Sequence, residues 1–139
     1  MITVRPVDRN YAHQTWPMVE GYIRSALETE YDGVPMYSIE HVQNYLSIGE
    51  WLLCVAVDES NRIKGACTIQ FYNQPLHRVA YVSTIGGRLV SNKNSVEQLK
   101  NIASQNGATI ITAVGRPAIA RLWRRYGFNQ TNILLEQLL

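Results

Sequence analysis

The sequence predicts a single α/β domain built on a mixed, mostly antiparallel sheet with helices on both faces. Three observations carry that expectation. Residues 51–57, 63–72 and 79–90 are apolar, strand-like runs separated by short turn-forming clusters, which reads as an antiparallel meander. Stretches with helical spacing of apolar residues flank the meander on both sides. Residues 108–114 then form one further apolar run that feeds a helix, so a single crossover joins the meander to a parallel strand. Repeated βα units, which a doubly wound sheet requires, are excluded by the meander.

Taken in order, residues 2–7 are a short first strand containing Pro6, and residues 8–14 a polar connection. Thr15 is placed to cap a helix with Pro17 in its first turn and Trp16, Val19, Ile23 and Leu27 as its apolar stripe. Residues 31–35 form a loop by composition. Ser38 caps a second helix with Ile39, Val42 and Leu46 inward, stopped by Gly49. The third strand of the meander holds Gly86-Gly87, which suggests a bulge or a closely approaching backbone. Asn94 followed by Glu97 reads as a capping box opening a helix with Val96, Leu99, Ile102 and Ala103 inward. The run 108–114 suits a strand covered on both faces. Gly115-Arg116-Pro117 breaks it and starts a helix carrying Ile119, Leu122, Trp123 and Tyr126, which Gly127 ends as a left-handed cap with Phe128 folding back. Residues 133–138 are expected to be a final strand, giving the order β-α-α-β-β-β-α-β-α-β.

The chain has 139 residues, 46% hydrophobic and 17% charged, enough for one domain with its own core and too apolar for a disordered one. A net charge of +2 demands neither nucleic acid nor a membrane surface as partner. Cys54 and Cys67 lie inside apolar runs and read as buried small hydrophobes, and no metal site is expected from them. The first ten residues lack the apolar core of a signal peptide, and no apolar run reaches the ~18 residues of a membrane span, so a reducing cytoplasm is the expected compartment. No Ser-His-Asp order, P-loop, HExxH or CxxC pattern supports hydrolase, nucleotide hydrolysis or metal chemistry.

The element order, together with Arg121-Leu122-Trp123-Arg124-Arg125-Tyr126-Gly127-Phe128, resembles the GNAT family of acyl-CoA-dependent N-acyltransferases. More narrowly, Trp16-Pro17, Tyr37-Ser38, the turn at 73–75, Gly86-Gly87 and Gly115-Arg116 look like pieces of small GNAT-like proteins encoded by bacteriophages. The resemblance implies one GNAT-like domain over residues 1–139. It implies acetyl-CoA or another acyl-CoA as donor and an amine as acceptor. A splayed V between the strands at 79–90 and 108–114 would take the pantetheine arm, with backbone groups of Ile85, Gly86, Gly87, Arg88 and Leu89 pairing with its amides. The pyrophosphate would meet the following helix N-terminus at Ser91, Asn92, Asn94 and Ser95.

Arg116, on the turn at a strand's carboxyl end, is a further candidate contact, weighed against a structural ion pair. The loop between the first two helices lies on the acceptor side in this family, which makes Glu30 and Asp32 the leading candidates for the base. Glu20, Glu28, Glu50 and His41 are the other candidates in that half, whereas His13 and His77 read as exposed. The sequence departs from the family at two places. The stretch 89–95 holds no glycine where the pyrophosphate loop normally has them, and Trp123 stands where a tyrosine often protonates the thiolate. An indole cannot do that work, and Tyr126, the remaining candidate, lies about 60° round the helix.

Two readings of different class result. One is an N-acyltransferase, with the oxyanion held by backbone N–H groups near Gly86 and Gly87. The other is a non-catalytic bacteriophage protein of the same fold, acting in virion assembly or binding a host protein, in host cytoplasm or virion. Modification of a nucleobase amine has thin support in the aromatics and arginines alone. A homodimer is left open.

Overall fold

The computed structural model describes residues 1–29, 33–89 and 92–139. Its sheet is built from β1 (Thr3–Val7), β2 (Trp51–Val57), β3 (Ile63–Asn73), β4 (Arg78–Gly87) and β5 (Ile110–Ala113), in spatial order β1-β2-β3-β4-β5. The first four strands pair antiparallel, and β5 pairs parallel to β4. Four α-helices lie among the described residues: α1 (Ala12–Thr29), α2 (Ile39–Ser47), α3 (Lys93–Gln105) and α4 (Pro117–Arg124). α3 is the crossover between β4 and β5. The expected α/β architecture is therefore present, with a GNAT-like order of elements as far as α4.

The two faces of the sheet have separate cores. α1 and α2 cover one face, where Trp16, Val19, Ile23, Val42 and Leu46 meet Trp51, Leu53 and Val55. α3 covers the other, where Leu99, Ile102 and Ala103 meet Cys54, Cys67, Ile69 and Val82. Alternation along β2 sends Cys54 and Ala56 to the α3 side and Leu53 and Val55 to the α1 side, which is how one strand serves both cores. Cys54 and Cys67 are cross-strand partners, free and fully buried, as small hydrophobes should be. The neighbouring Cys54 thiol and then burial push the Cys67 thiol well above its ordinary value, so that thiol does not favour reaction. β1 is an edge strand that tolerates Pro6. Gln98 of α3 blunts that end of the sheet, accepting from Val4 N–H at 2.8 Å and donating to the Ile2 carbonyl at 3.0 Å.

Several expected boundaries move, each for a local reason. α1 begins at Ala12, continuing a turn of 3-10 helix at Arg9–Tyr11 that Asp8 caps by accepting from Asn10 N–H at 2.8 Å. Thr15 is thus inside the helix and donates its hydroxyl back to the Tyr11 carbonyl at 2.8 Å instead of capping. α3 is capped by Asn92, which accepts from Ser95 N–H at 3.1 Å; the Asn94–Glu97 box does not form, and Glu97 pairs with Lys100 at 3.0 Å. The strand expected over 108–114 is shorter and is not covered on both faces. Ile111 packs on the α3 side, but Ile110 is exposed, because the contacts of α1 with the sheet run to β3 and β4. The final strand expected at 133–138 is not formed: those residues pair with nothing in the sheet. Gly127, by contrast, is the left-handed cap expected (φ +98°), and Phe128 folds back with its N–H on the Trp123 carbonyl at 3.2 Å.

At the start of α2 the Ser38 hydroxyl accepts from His41 N–H at 3.3 Å, and His41 Nδ1 accepts from Ser38 N–H at 2.9 Å. This reciprocal cap uses the His41 ring for structure. Ser38→Ala is expected to lower stability by about 1 kcal/mol. Chemical denaturation would show a lower midpoint with an unchanged slope.

Candidate active-site groove

β4 and β5 pair only from Val79↔Ile110 to Val82↔Ala113, and beyond that they part. The cause is on the other side of β4. Against β3 the register steps from Ile69↔Val82 to Thr68↔Thr84, so Ser83 is an extra residue without a cross-strand partner. A bulge of this kind bends the strand and re-aims the residues after it. Hydroxyls hold it: Thr68 Oγ1 lies 2.8 Å from Ser83 Oγ and 2.7 Å from Thr84 Oγ1, and Ser83 Oγ donates to the Thr68 carbonyl at 3.2 Å. Tyr37, arriving from the loop before α2, donates its phenol to the Ser83 carbonyl at 3.0 Å.

The result is an open groove of about 1560 Å³ between β4 and β5, walled by the end of α1, the residues leading into α2, α4 and the chain after it. Its floor includes the β4 segment from Tyr81 to Ile85, whose edge beyond Val82 is no longer occupied by β5. Glu28, Glu40 and Arg24 stand on one wall, and Arg121 and Arg124 on the other. Its own backbone N–H and then the Ser38 hydroxyl hold the Glu40 carboxyl below its ordinary value, so it stays ionised at neutral pH. Glu136, from the C-terminal segment, reaches the same wall by accepting from Val34 N–H at 2.6 Å.

The expected site residues distribute unevenly around this groove. Ile85 lines it. Gly86 and Gly87 continue β4 just beyond, paired with Ala66 and Gly65. Their missing side chains serve close internal approach, not a bulge: a Cβ on Gly86 would stand 2.8 Å from the Tyr22 carbonyl, and one on Gly87 (φ +70°) would meet the Lys64 carbonyl and Gly65. Arg88 donates its N–H to Lys64 O at 3.0 Å, and the Leu89 side chain is fully buried in the α3-side core. Asn92 is committed to capping. Asn94 is exposed on the first turn of α3. Ser95 is a correction as a side-chain ligand: it lies on the buried face with Leu99 and Ile102, and its hydroxyl is sealed without a partner among the described residues. Arg116 is exposed at the N-terminal cap of α4. Tyr126 is half-buried and outside the groove lining, whereas Trp123 is in it, stacked at a tilt on Phe128 with ring centres 4.8 Å apart. Glu30, Asp32 and Ser91 lie outside the described residues.

Sequence reasoning missed Tyr37 as a strut and the Ser83 bulge itself. Adjacent hydroxyls at 83–84, facing Thr68 across the meander, are the signal that was there to find. Glu136 gave no signal, since only the folded chain brings residue 136 to residue 34.

No protein-family model matches the chain, and no curated protein matches it. Solved structures do match, over nearly all of their length. A predicted acetyltransferase with acetyl-CoA from Clostridium acetobutylicum is 18% identical, with a TM-score of 0.65, covering 99% of this chain and 96% of that one. An aminoglycoside acetyltransferase from an uncultured soil metagenomic sample, in complex with sisomicin, is 15% identical with a TM-score of 0.70, covering 99% and 96%. Glucosamine-6-phosphate N-acetyltransferase from Arabidopsis thaliana is 13% identical with a TM-score of 0.63, covering 99% and 98%. The chain therefore has the GNAT acetyltransferase fold. Among the described residues no helix is long and apolar enough to cross a membrane.

Thr68→Val keeps the shape of a fully buried residue and removes the hydroxyl that ties the bulge together. The expected loss is about 1–3 kcal/mol, because Ser83 and Thr84 keep hydroxyls that must find new partners. Thermal unfolding of this variant should show a larger shift than Ser38→Ala; an equal or smaller one would mean that the hydroxyl cluster does not hold the strand.

Proposed function

We propose that this protein is an N-acyltransferase that moves an acetyl or other acyl group from acyl-CoA to an amine. The observation that carries the reading is the parting of parallel strands beyond Val82 and Ala113, which leaves one edge of β4 open to the groove. An extended pantetheine arm fits such an edge because its amides can take the place of a sheet neighbour. Ile85, Gly86 and Gly87 are the backbone groups proposed for it; Arg88, whose N–H is spent on the Lys64 carbonyl, and Leu89, fully buried, are left out. The likeness in fold to acetyltransferases, one of them with acetyl-CoA, supports the same choice.

The thioester supplies an activated carbonyl. In the transfer the amine nitrogen bonds to the carbonyl carbon, the carbon–sulfur bond breaks, and coenzyme A leaves as the thiolate, which takes up a proton. Backbone N–H groups along the open edge from Ser83 toward Gly87 are placed to receive the developing oxyanion. The amine must shed a proton. Glu30 and Asp32 remain the proposed bases, with Glu28 and Glu40 supplying negative charge that draws a cationic acceptor to that wall. Tyr126 remains the proposed proton donor to sulfur, although Trp123 holds the groove side of α4. At the phosphate end, Ser91, Asn92, Asn94 and the first amides of α3 are assigned to the pyrophosphate, with Arg116 as an added cation. Ser95 is withdrawn from that set because its hydroxyl faces the core.

A second reading is favoured by one observation at that same end. Asn92 already satisfies Ser95 N–H with its side chain, so one donor fewer is left for an anion than at an uncapped helix. On that reading the fold is retained without transfer, in a bacteriophage protein that binds a host or virion component.

Calorimetric titration with acetyl-CoA and with free coenzyme A separates the two. Saturable one-to-one binding near micromolar affinity, roughly −8 kcal/mol, is expected. Arg116→Ala should weaken it about tenfold, the equivalent of ~1.4 kcal/mol for one charge-assisted contact. Absence of heat at saturating ligand would reject the transferase and leave the binding protein.

A further inference from the structure

A second cavity, of about 330 Å³, lies at the start of β2 and of β4, and none of its lining residues lines the groove. It is open because several elements stop short there. β1 ends at Val7, opposite Leu53, while β2 already begins at Trp51, so that end of β2 has no outer neighbour. α2 ends at Ser47 and the chain turns at Gly49 (φ +78°), and α3 ends at Gln105. Trp51, Leu52 and Phe71 give the hollow apolar surface, and Arg9, Glu50 and Arg78 give it charge. A concave apolar surface with a few fixed polar groups is the form that small-molecule sites take.

The two arginines are held in place without being neutralised. Arg78 donates its Nε–H to the Asn106 carbonyl at 3.1 Å and a terminal N–H to Asn73 Oδ1 at 3.2 Å. Its guanidinium carbon stands 5.2 Å from the centre of the Phe71 ring. Arg9 donates to the Ile48 carbonyl at 3.4 Å, and its stem lies across Gly49, where a Cβ would stand 2.7 Å from Arg9 Cδ. A carbonyl, an amide and a ring fix direction, yet none of them carries a negative charge. The ion pairs among the described residues join Met1 to Glu59, Arg24 to Glu20 and Lys100 to Glu97, so neither Arg9 nor Arg78 is in one. A guanidinium also presents more N–H donors than these contacts use.

We propose that this cavity is a second binding site, for a small monocarboxylate with an apolar body. The carboxylate takes the donors that the arginine forks still offer, and the body lies against Trp51, Leu52 and Phe71. Two guanidiniums less the one Glu50 carboxylate leave the lining a net charge of +1, which a single carboxylate matches. A phosphate dianion exceeds that charge and is repelled by Glu50. A neutral molecule of the same shape leaves both arginines unanswered.

Proton–nitrogen NMR of the labelled 139-residue chain tests this with phenylacetate, its neutral analogue 2-phenylethanol, and inorganic phosphate as probes. No acyl-CoA is present, so the outcome stands apart from that of the acyl-CoA titration. Phenylacetate should give saturable shifts at Leu52, Phe71 and Asn106 and at the Arg78 Nε–H, with Ile85 and Ala120 unmoved. Half-saturation at about 1 mM or below is expected for a ligand of this size. The alcohol and phosphate should each bind at least about tenfold more weakly, as should phenylacetate to Arg9→Gln or Arg78→Gln. Arg78→Gln also loses the ties to Asn73 and Asn106, so Arg9→Gln, altered only at the exposed rim, decides where the other fails to fold. The proposal is overturned if no shift saturates by about 10 mM, a concentration that already allows for weak binding. Equal binding of the alcohol or of phosphate overturns it too, as does an Arg9→Gln chain that keeps the original affinity.

Discussion

The bulge at Ser83 is the constraint on which the rest of this structure depends. A strand paired on both sides keeps its neighbours parallel to it, and a groove cannot open inside an unbroken sheet. One extra residue in β4 ends the pairing with β5 at Val82 while pairing with β3 resumes at Thr84. The hydroxyls of Thr68, Ser83 and Thr84 satisfy one another there, which makes a polar irregularity tolerable at a position where Thr68 is fully buried. Tyr37 joins this cluster to the approach of α2, so the floor of the groove and the wall that carries Glu40 are held by the same atoms.

The glycines of the sheet set the second dimension. Gly65, Gly86 and Gly87 lie at adjoining positions on β3 and β4, and α1 comes down on them so closely that the Tyr22 carbonyl occupies the space of a Gly86 side chain. Tyr22 also donates its phenol to the Ile63 carbonyl at 3.3 Å. The end of α1 can therefore stand beside the groove, bringing Glu28 to its wall. Glycines that look like room for a ligand are already filled by the protein's own backbone. What they give the groove is indirect: they let α1, which walls it, approach the sheet.

The fold was legible in the sequence wherever one physical signal dominated. The meander followed from apolar runs cut by turn residues, and the cap at Gly127 from a glycine placed where an L-residue is strained. Ser38 was legible as a cap because its neighbours offered no competing start. The start of α1 was not, since Asp8 and the 3-10 turn begin the helix earlier than the apolar stripe does. At α3, Asn92 and Asn94 have the same chemistry two residues apart, and only the backbone path decides between them. The candidate site was less legible than the fold. Ile85 and the open edge of β4 were expected only through the family resemblance, and Tyr37, Ser83 and Glu136 enter through contacts across the fold. The expectation for residues 133–138 failed differently: the segment has the composition of a covered strand, and composition does not say which sheet covers it.

That failure bears on how the groove should be understood. Its β4 floor is fixed by a bulge, buried hydroxyls and a helix seated on glycines, all within the compact part of the chain. Its outer wall is the part that carries exposed isoleucine and leucines beside an uncharged edge. A rigid floor and a wall with unsatisfied apolar surface are different materials. The first can preorganise backbone donors around a reacting carbonyl, since those groups do not move when a ligand arrives. The second gains by being covered, and whatever covers it also defines the space above Glu28 and Glu40. On the proposed reading, donor binding would belong to the β4 edge and the start of α3, and acceptor size to the C-terminal segment and what it packs against.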